Sequence, residues 1–258
     1  MVRFKGYLDL TIVQKIALAG IFIVLVALLQ KVFAVNYIPV VPFVRISFGG
    51  PALIIFSSIL LGPWFGLLVG AASDIIGFYL FDPKMMGSVP MFQITLLYAM
   101  LGFASYFIYK LVTLIKNEKV MLTVECSIFA LLLIGVTVFS TLYQNPKFTL
   151  AERILIPSIS LILLSLTIFV QLYLEKYFNK KEMEVSPIHV GFASFIIEMV
   201  IMLAFGVSMK TWAFGSGSFV IILASQIVVA FFNIPLNTFF VSYIMVLSKR
   251  LIKGRMSA

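Results

Sequence analysis

Asp74 is a carboxylate inside a long apolar run, and Arg45 stands at the head of that run, in RISFGGPALIIFSSILLGPWFGLLVGAASDIIGFYLFDPKMMGSVPMF from Arg45 to Phe92. A carboxylate at membrane depth is costly, so it faces a partner or a wet cavity rather than lipid. Asp74 serves either as a structural hydrogen-bond acceptor or as a ligand contact that accepts from ring or exocyclic amines. A guanidinium matches a carboxylate in a bidentate pair, so Arg45 can clamp an anion. It can equally snorkel as an interface anchor. Phe78, Phe81 and Phe92, near Pro83 and Pro90, either pack or form a stacking wall for a flat ligand.

These groups need a scaffold. Gly62, Gly66 and Gly70 recur every four residues and Asp74 continues the step, so on a helix the four share a face. Small residues at that spacing let membrane helices approach closely. The last apolar run carries a second polar set, Gln226, Asn233 and Asn237, in SQIVVAFFNIPLNTFF. Asn233 and Asn237 lie one turn apart, and Pro235 between them removes a backbone donor and kinks the helix. The asparagines either join helices or line the same cavity.

Glu125 sits near an inner span end, within reach of the interface. Glu198 lies deeper, with no evident basic partner and no assigned role. His189 stands alone near an interface. With one His and one Cys in the chain, neither a His- or Cys-built metal site nor a His-based protease dyad is supported. Cys126 reads as an ordinary buried thiol and excludes an internal disulfide.

Composition sets the class. Mean hydropathy is +1.14. Hydrophobic residues make up 62% of the chain and charged residues 11%, against about 25% charged in a soluble globule. The apolar runs are continuous and long enough to cross a bilayer as helices, about 20 residues each, whereas a β-barrel shows short alternating segments. The net charge of +9 does not point to nucleic acid, because the basic residues sit at span ends. The first run, from Ile12 to Val35, is too long for a signal core and reads as a permanent span.

Eight apolar segments are expected, at 11–34, 46–62, 64–81, 91–115, 120–142, 153–174, 188–208 and 219–247. Every second connection is basic, starting with Arg3, Lys5 and Lys15 and ending with Lys249, Arg250, Lys253 and Arg255. The positive-inside bias then puts both termini in the cytoplasm and makes an external Arg45 less expected as a mere anchor. No soluble domain is left over, and no GxxxxGK[ST] loop occurs, so the chain does not itself hydrolyse ATP.

The runs R-I-S-F-G, L-G-P-x-x-G-x-x-V-G-x-x-S-D-x-x-G-F and F-D-P, with a following P-x-F, resemble the folate-type S components (FolT) of energy-coupling factor (ECF) vitamin transporters. The closing run with Gln226, Pro235 and Asn237 before a Leu-x-Lys-Arg tail is similar too. The resemblance covers roughly 60% of the chain. It implies an all-α, polytopic membrane helical bundle with a six-helix core that captures a vitamin outside the cell. Residues 1–116 and 187–258 would form that core within a single membrane domain of 258 residues, and 117–186 would be an inserted helix pair. The implied partners are a folate-like anion, the transmembrane scaffold protein T and two cytoplasmic ATPases, with no cofactor. Arg45, Phe48, Asp74, Phe78, Phe81, Phe92, Gln226, Asn233 and Asn237 are the candidate substrate contacts. S components carry an Ala-xxx-Ala patch on the first helix for docking the scaffold. Gly20 and Val24 stand at the corresponding positions here, Ala17, Gly20 and Val24 are the candidate docking residues, and Ala17, Ala19 and Ala27 offer a shifted small face.

Two other classes compete. A membrane-embedded enzyme needs converging acid, base or metal groups, which the scattered Asp74, Glu125 and Glu198 do not suggest. A self-sufficient secondary transporter shows internal repeats and helices broken at the midplane, and no repeat is evident. An S component for a different vitamin or precursor keeps the fold and changes the pocket.

Overall fold

The computed structural model describes residues 10–35, 46–81, 90–142, 150–178, 186–215 and 219–256. Arg45 lies outside them. Nine α-helices and one π-helix are described: α1 Ile12–Lys31, α2 Gly50–Leu61, α3 Pro63–Phe81, α4 Phe92–Thr113, α5 Glu118–Leu142, α6 Leu150–Tyr177, α7 Pro187–Ile197, a π-helix Glu198–Phe205, α8 Gly206–Phe214 and α9 Phe219–Met256. Two short strands, β1 Ala34–Val35 and β2 Ile46–Ser47, pair antiparallel. The protein is an all-α, multi-pass membrane helical bundle, because lipid leaves only such closed elements free of unpaired backbone.

All eight expected apolar segments are helical. Among the described residues, seven helical stretches are long and apolar enough to cross a membrane, whereas α2 has 12 residues. Twelve residues rise about 18 Å, short of a hydrocarbon core of about 30 Å. The expectation of eight full spans is corrected here to seven, plus one short apolar helix. Every residue of α2 is buried, so the other helices shield it. Its limits follow from local chemistry. Gly49 at φ 80° and Pro51 start it, and Gly62 at φ 102° stops it with Pro63 next. Both glycines adopt a left-handed backbone that a Cβ would strain.

Gly62 is therefore a turn and not the first rung of a helical ladder. The working rungs are Gly66 and Gly70 on α3, and their partner is Gly102 on α4. A Cβ on Gly66 would lie 2.5 Å from the Gly102 carbonyl oxygen and 2.6 Å from Ser58 Cβ. One on Gly70 would strike the Tyr98 carbonyl, and one on Gly102 would strike the Gly66 carbonyl. α3 and α4 thus meet backbone to backbone. At the other end of the chain, α1 begins with a capping box in which Thr11 N–H donates to Gln14 Oε1 at 2.9 Å and Gln14 N–H donates to Thr11 Oγ1 at 3.4 Å.

α1, α2, α3 and α4 pack on one another, α9 closes on α2, and α7 and α8 close on α4. The pair α5 and α6 packs principally on α7 and α9. It is fixed there by a polar clasp. Gln171 Nε2 donates to Glu125 Oε1 at 2.8 Å and to Oε2 at 3.0 Å, and Gly191 on α7 leaves room for the glutamine. Glu125 is fully buried, so it does not reach an interface as the sequence suggests, because α6 runs across it. Cys126, one residue on, is exposed rather than buried.

Substituting the rungs should separate packing from open space. Gly70→Ala and Gly102→Ala should each lower stability by about 1–3 kcal/mol, the usual penalty for overpacking, seen as a lower Tm in detergent. Gly20→Ala, with nothing within 4 Å of the added Cβ, should leave Tm unchanged.

Candidate functional site

The close approach of α3 to α4 places Asp74 opposite Thr95. Thr95 Oγ1 donates to Asp74 Oδ2 at 2.8 Å. The other oxygen faces α1, where Lys31 Nζ lies 3.7 Å from Asp74 Oδ1. The side chains of Lys31 and Asp74 are only 11% and 6% exposed, so this is a buried charge pair. Burial makes each member depend on the other, since removing one leaves an uncompensated charge.

Local sequence explains how the lysine reaches its place. Lys31 is in the last turn of α1, where a cation is favoured by the helix dipole. Gly77, one turn beyond Asp74, carries no side chain where the lysine stem crosses: a Cβ there would sit 3.0 Å from Lys31 Cγ and 3.1 Å from Cε. After Lys31 the chain enters β1, which pairs with β2 and so leads into Phe48 and the start of α2. Phe48 is half-exposed and meets Phe232 of α9 edge to face, with ring centres 5.7 Å apart.

The expected aromatic wall is dispersed. Phe78 and Phe81 are half-buried near the end of α3, and Phe78 packs edge to face on Tyr79. Phe92 opens α4 and is 66% exposed. On α9, Gln226, Asn233 and Asn237 are all buried. Asn237 turns to Glu198, donating from Nδ2 to Oε1 at 2.8 Å, and Asn233 approaches the same carboxylate. The structure thus holds two polar centres, one at Asp74 and one at Glu198, and Phe48 with Phe232 links β2 to α9 near Asn233.

Sequence reading missed Lys31, Thr95 and the asparagine partners of Glu198. Lys31 carried a signal, being a charged residue at the end of an apolar span, as Arg45 is. Thr95 carried none, since one hydroxyl in a helix bonds its own backbone as readily as a neighbour. On the first helix, Ala17, Gly20 and Val24 are exposed, while Ala19 and Ala27 are buried against the bundle.

Lys31→Met should strand the Asp74 carboxylate and lower stability by about 3–5 kcal/mol, whereas the double change with Asp74→Leu should recover most of it. Thermal unfolding of the two single variants and the double variant checks this. Additive losses would show that the pair is not coupled.

No protein-family model, no curated protein and no solved structure matches this chain.

Proposed function

We propose that the chain is the substrate-binding S component of an ECF-type vitamin importer, with folate or a related pterin as cargo. It would sit in the cell membrane with both termini cytoplasmic. The observation that carries this reading is the Lys31–Asp74–Thr95 centre: its carboxylate, Asp74, lies in the stretch whose motifs resemble folate-type S components, and Lys31 of α1 and Thr95 of α4 meet it there. A folate-like anion presents carboxylates and ring amines together. An ammonium beside a carboxylate offers complementary partners to both, and each gains from being shielded from water.

The outer face of α1 supports a partner. Ala17, Gly20 and Val24 are exposed, and nothing lies within 4 Å of the position of a Cβ on Gly20. Their neighbours Val13, Ile16 and Ile21 are also exposed, at 72%, 61% and 54%. A helix face of this kind, small in the middle and apolar around it, admits a second helix at short range. The scaffold protein T would dock there, and two ATPases would supply the energy that a chain without a Walker-type loop lacks. A different vitamin or precursor would leave all of this unchanged except the pocket.

The second reading is a self-sufficient secondary transporter, favoured by the π-helix Glu198–Phe205 that interrupts the span Pro187–Phe214. Reconstitution in liposomes separates the two. Concentrative uptake should require the partner module and internal ATP, and Gly20→Trp should abolish it while ligand binding survives. Uptake by the purified chain alone, driven by a proton or sodium gradient, would contradict the S-component reading. Binding tests the cargo. Arg45→Ala should weaken affinity for a folate-like anion roughly ten- to a hundred-fold, from about 1.5–3 kcal/mol for a lost charge-assisted hydrogen bond. Unchanged affinity in a folded variant would remove Arg45 from the site.

A further inference from the structure

A ladder of aromatic rings runs along each of two adjoining helices, α6 and α9, toward their basic ends. On α6, Phe169 stacks on Tyr173 and Tyr173 on Tyr177, with ring centres 5.9 Å apart at both steps. On α9, Phe239 stacks on Tyr243 at 6.0 Å with planes 11° apart. Phe178 joins the two ladders. It is buried, and its ring centre lies 5.2 Å from that of Tyr177 and 6.4 Å from that of Tyr243. The other five rings are exposed.

An interfacial aromatic belt does not account for this arrangement. A belt holds its rings at headgroup level, whereas Phe169 lies two turns from Tyr177, about 12 Å along the axis. That approaches half a hydrocarbon core of about 30 Å. The ladders also carry donors. Among the described residues the hydroxyls of Tyr173, Tyr177 and Tyr243 make no hydrogen bond, and lipid tails cannot accept one. Charge gives the surface a sign. Lys176 is exposed in the last turn of α6, next to Tyr177. Arg250 stands seven residues beyond Tyr243, on the same face of α9 by helical register. α9 contains no acidic residue. The acid beside Lys176, Glu175, accepts from Ser186 Oγ at 2.6 Å. From the hydrocarbon outward the order is therefore ring, hydroxyl and cation. A phospholipid presents the complement in the same order: acyl chain, ester oxygens and phosphate.

We propose that the seam of α6 and α9 over Phe178, flanked by Tyr177 and Tyr243, binds one anionic phospholipid. The phosphate faces the basic end at Lys176 and Arg250, the ester oxygens accept from the tyrosine hydroxyls, and an acyl chain lies along the rings. Basic pockets between membrane helices suit anionic head groups in this way. The site is separate from the Asp74 centre and does not rest on the transport reading.

The test uses the purified full chain, delipidated in detergent and then given phosphatidylglycerol or phosphatidylcholine with the same acyl chains. Native mass spectrometry should show one phosphatidylglycerol retained per chain, at least tenfold more tightly than phosphatidylcholine. Tm should rise saturably with phosphatidylglycerol alone, since a ligand of the folded state stabilises it by mass action. Lys176→Gln with Arg250→Gln should weaken retention roughly tenfold or more, from about fivefold for each lost cation. Tyr177→Phe with Tyr243→Phe keeps the rings and should weaken it several-fold. Lys116→Gln with Lys119→Gln, two exposed charges at the start of α5, should leave it unchanged. Equal retention of the two lipids would overturn the proposal, as would unchanged retention in the Lys176→Gln, Arg250→Gln variant. An equal loss in the Lys116→Gln, Lys119→Gln variant would overturn it in favour of a general attraction to basic surface.

Discussion

The backbone-on-backbone contact between α3 and α4 is the constraint on which the Asp74 centre depends. Gly66, Gly70 and Gly102 bring the two helices close enough that carbonyl oxygens occupy the space of side chains. Within lipid there is no hydrophobic gain from joining two apolar helices, so close packing and polar bonds must hold them. The closeness in turn sets what the next turns can do. One turn past Gly70, Asp74 meets Thr95. Another turn on, Gly77 gives passage to the Lys31 stem. A charge pair that would be prohibitive in lipid becomes tolerable because three helices wrap it.

The bundle repeats this device at other sites. Gln171 clasps Glu125 where Gly191 makes room, and Asn237 holds Glu198 two residues after Pro235. In each case a buried acid is met by a neutral amide or hydroxyl from a neighbouring helix. These bonds fix helix neighbours with a specificity that interdigitated Leu, Ile and Phe cannot give, because apolar contacts are non-directional. Asp74 differs by having a cation within ion-pair distance, Lys31 at 3.7 Å, as well as a hydroxyl, which is why it is the better candidate for binding a charged ligand.

Much of the fold was legible in the sequence because hydropathy and length are strong signals in lipid. The apolar segments and the close face of Gly66 and Gly70 follow from composition and spacing, whereas the same spacing counted Gly62 as a rung where the structure makes it a turn. The shortness of α2 was less legible. Its apolar run continues through residues 46–49, and only the left-handed Gly49 shows where the helix begins. The site was legible in part. Asp74 stands out as an acid in an apolar run, but its partners come from α1 and α4, and long-range pairing leaves no periodic trace. Glu198 lacked a visible basic partner because its nearest partners are amides, which periodicity cannot tell from interhelical glue. Glu125 was misplaced because position along a helix gives depth but not the neighbour that covers it.

The central claim is that this bundle holds a small anionic ligand at the Asp74 centre. Native mass spectrometry of the chain purified from cells, with the released small molecule identified, tests it most directly. The account predicts one folate-like or pterin molecule per chain, absent from Asp74→Asn protein that still unfolds cooperatively. A folded wild-type chain that carries no small molecule and gains none when incubated with folates or other vitamins would contradict it.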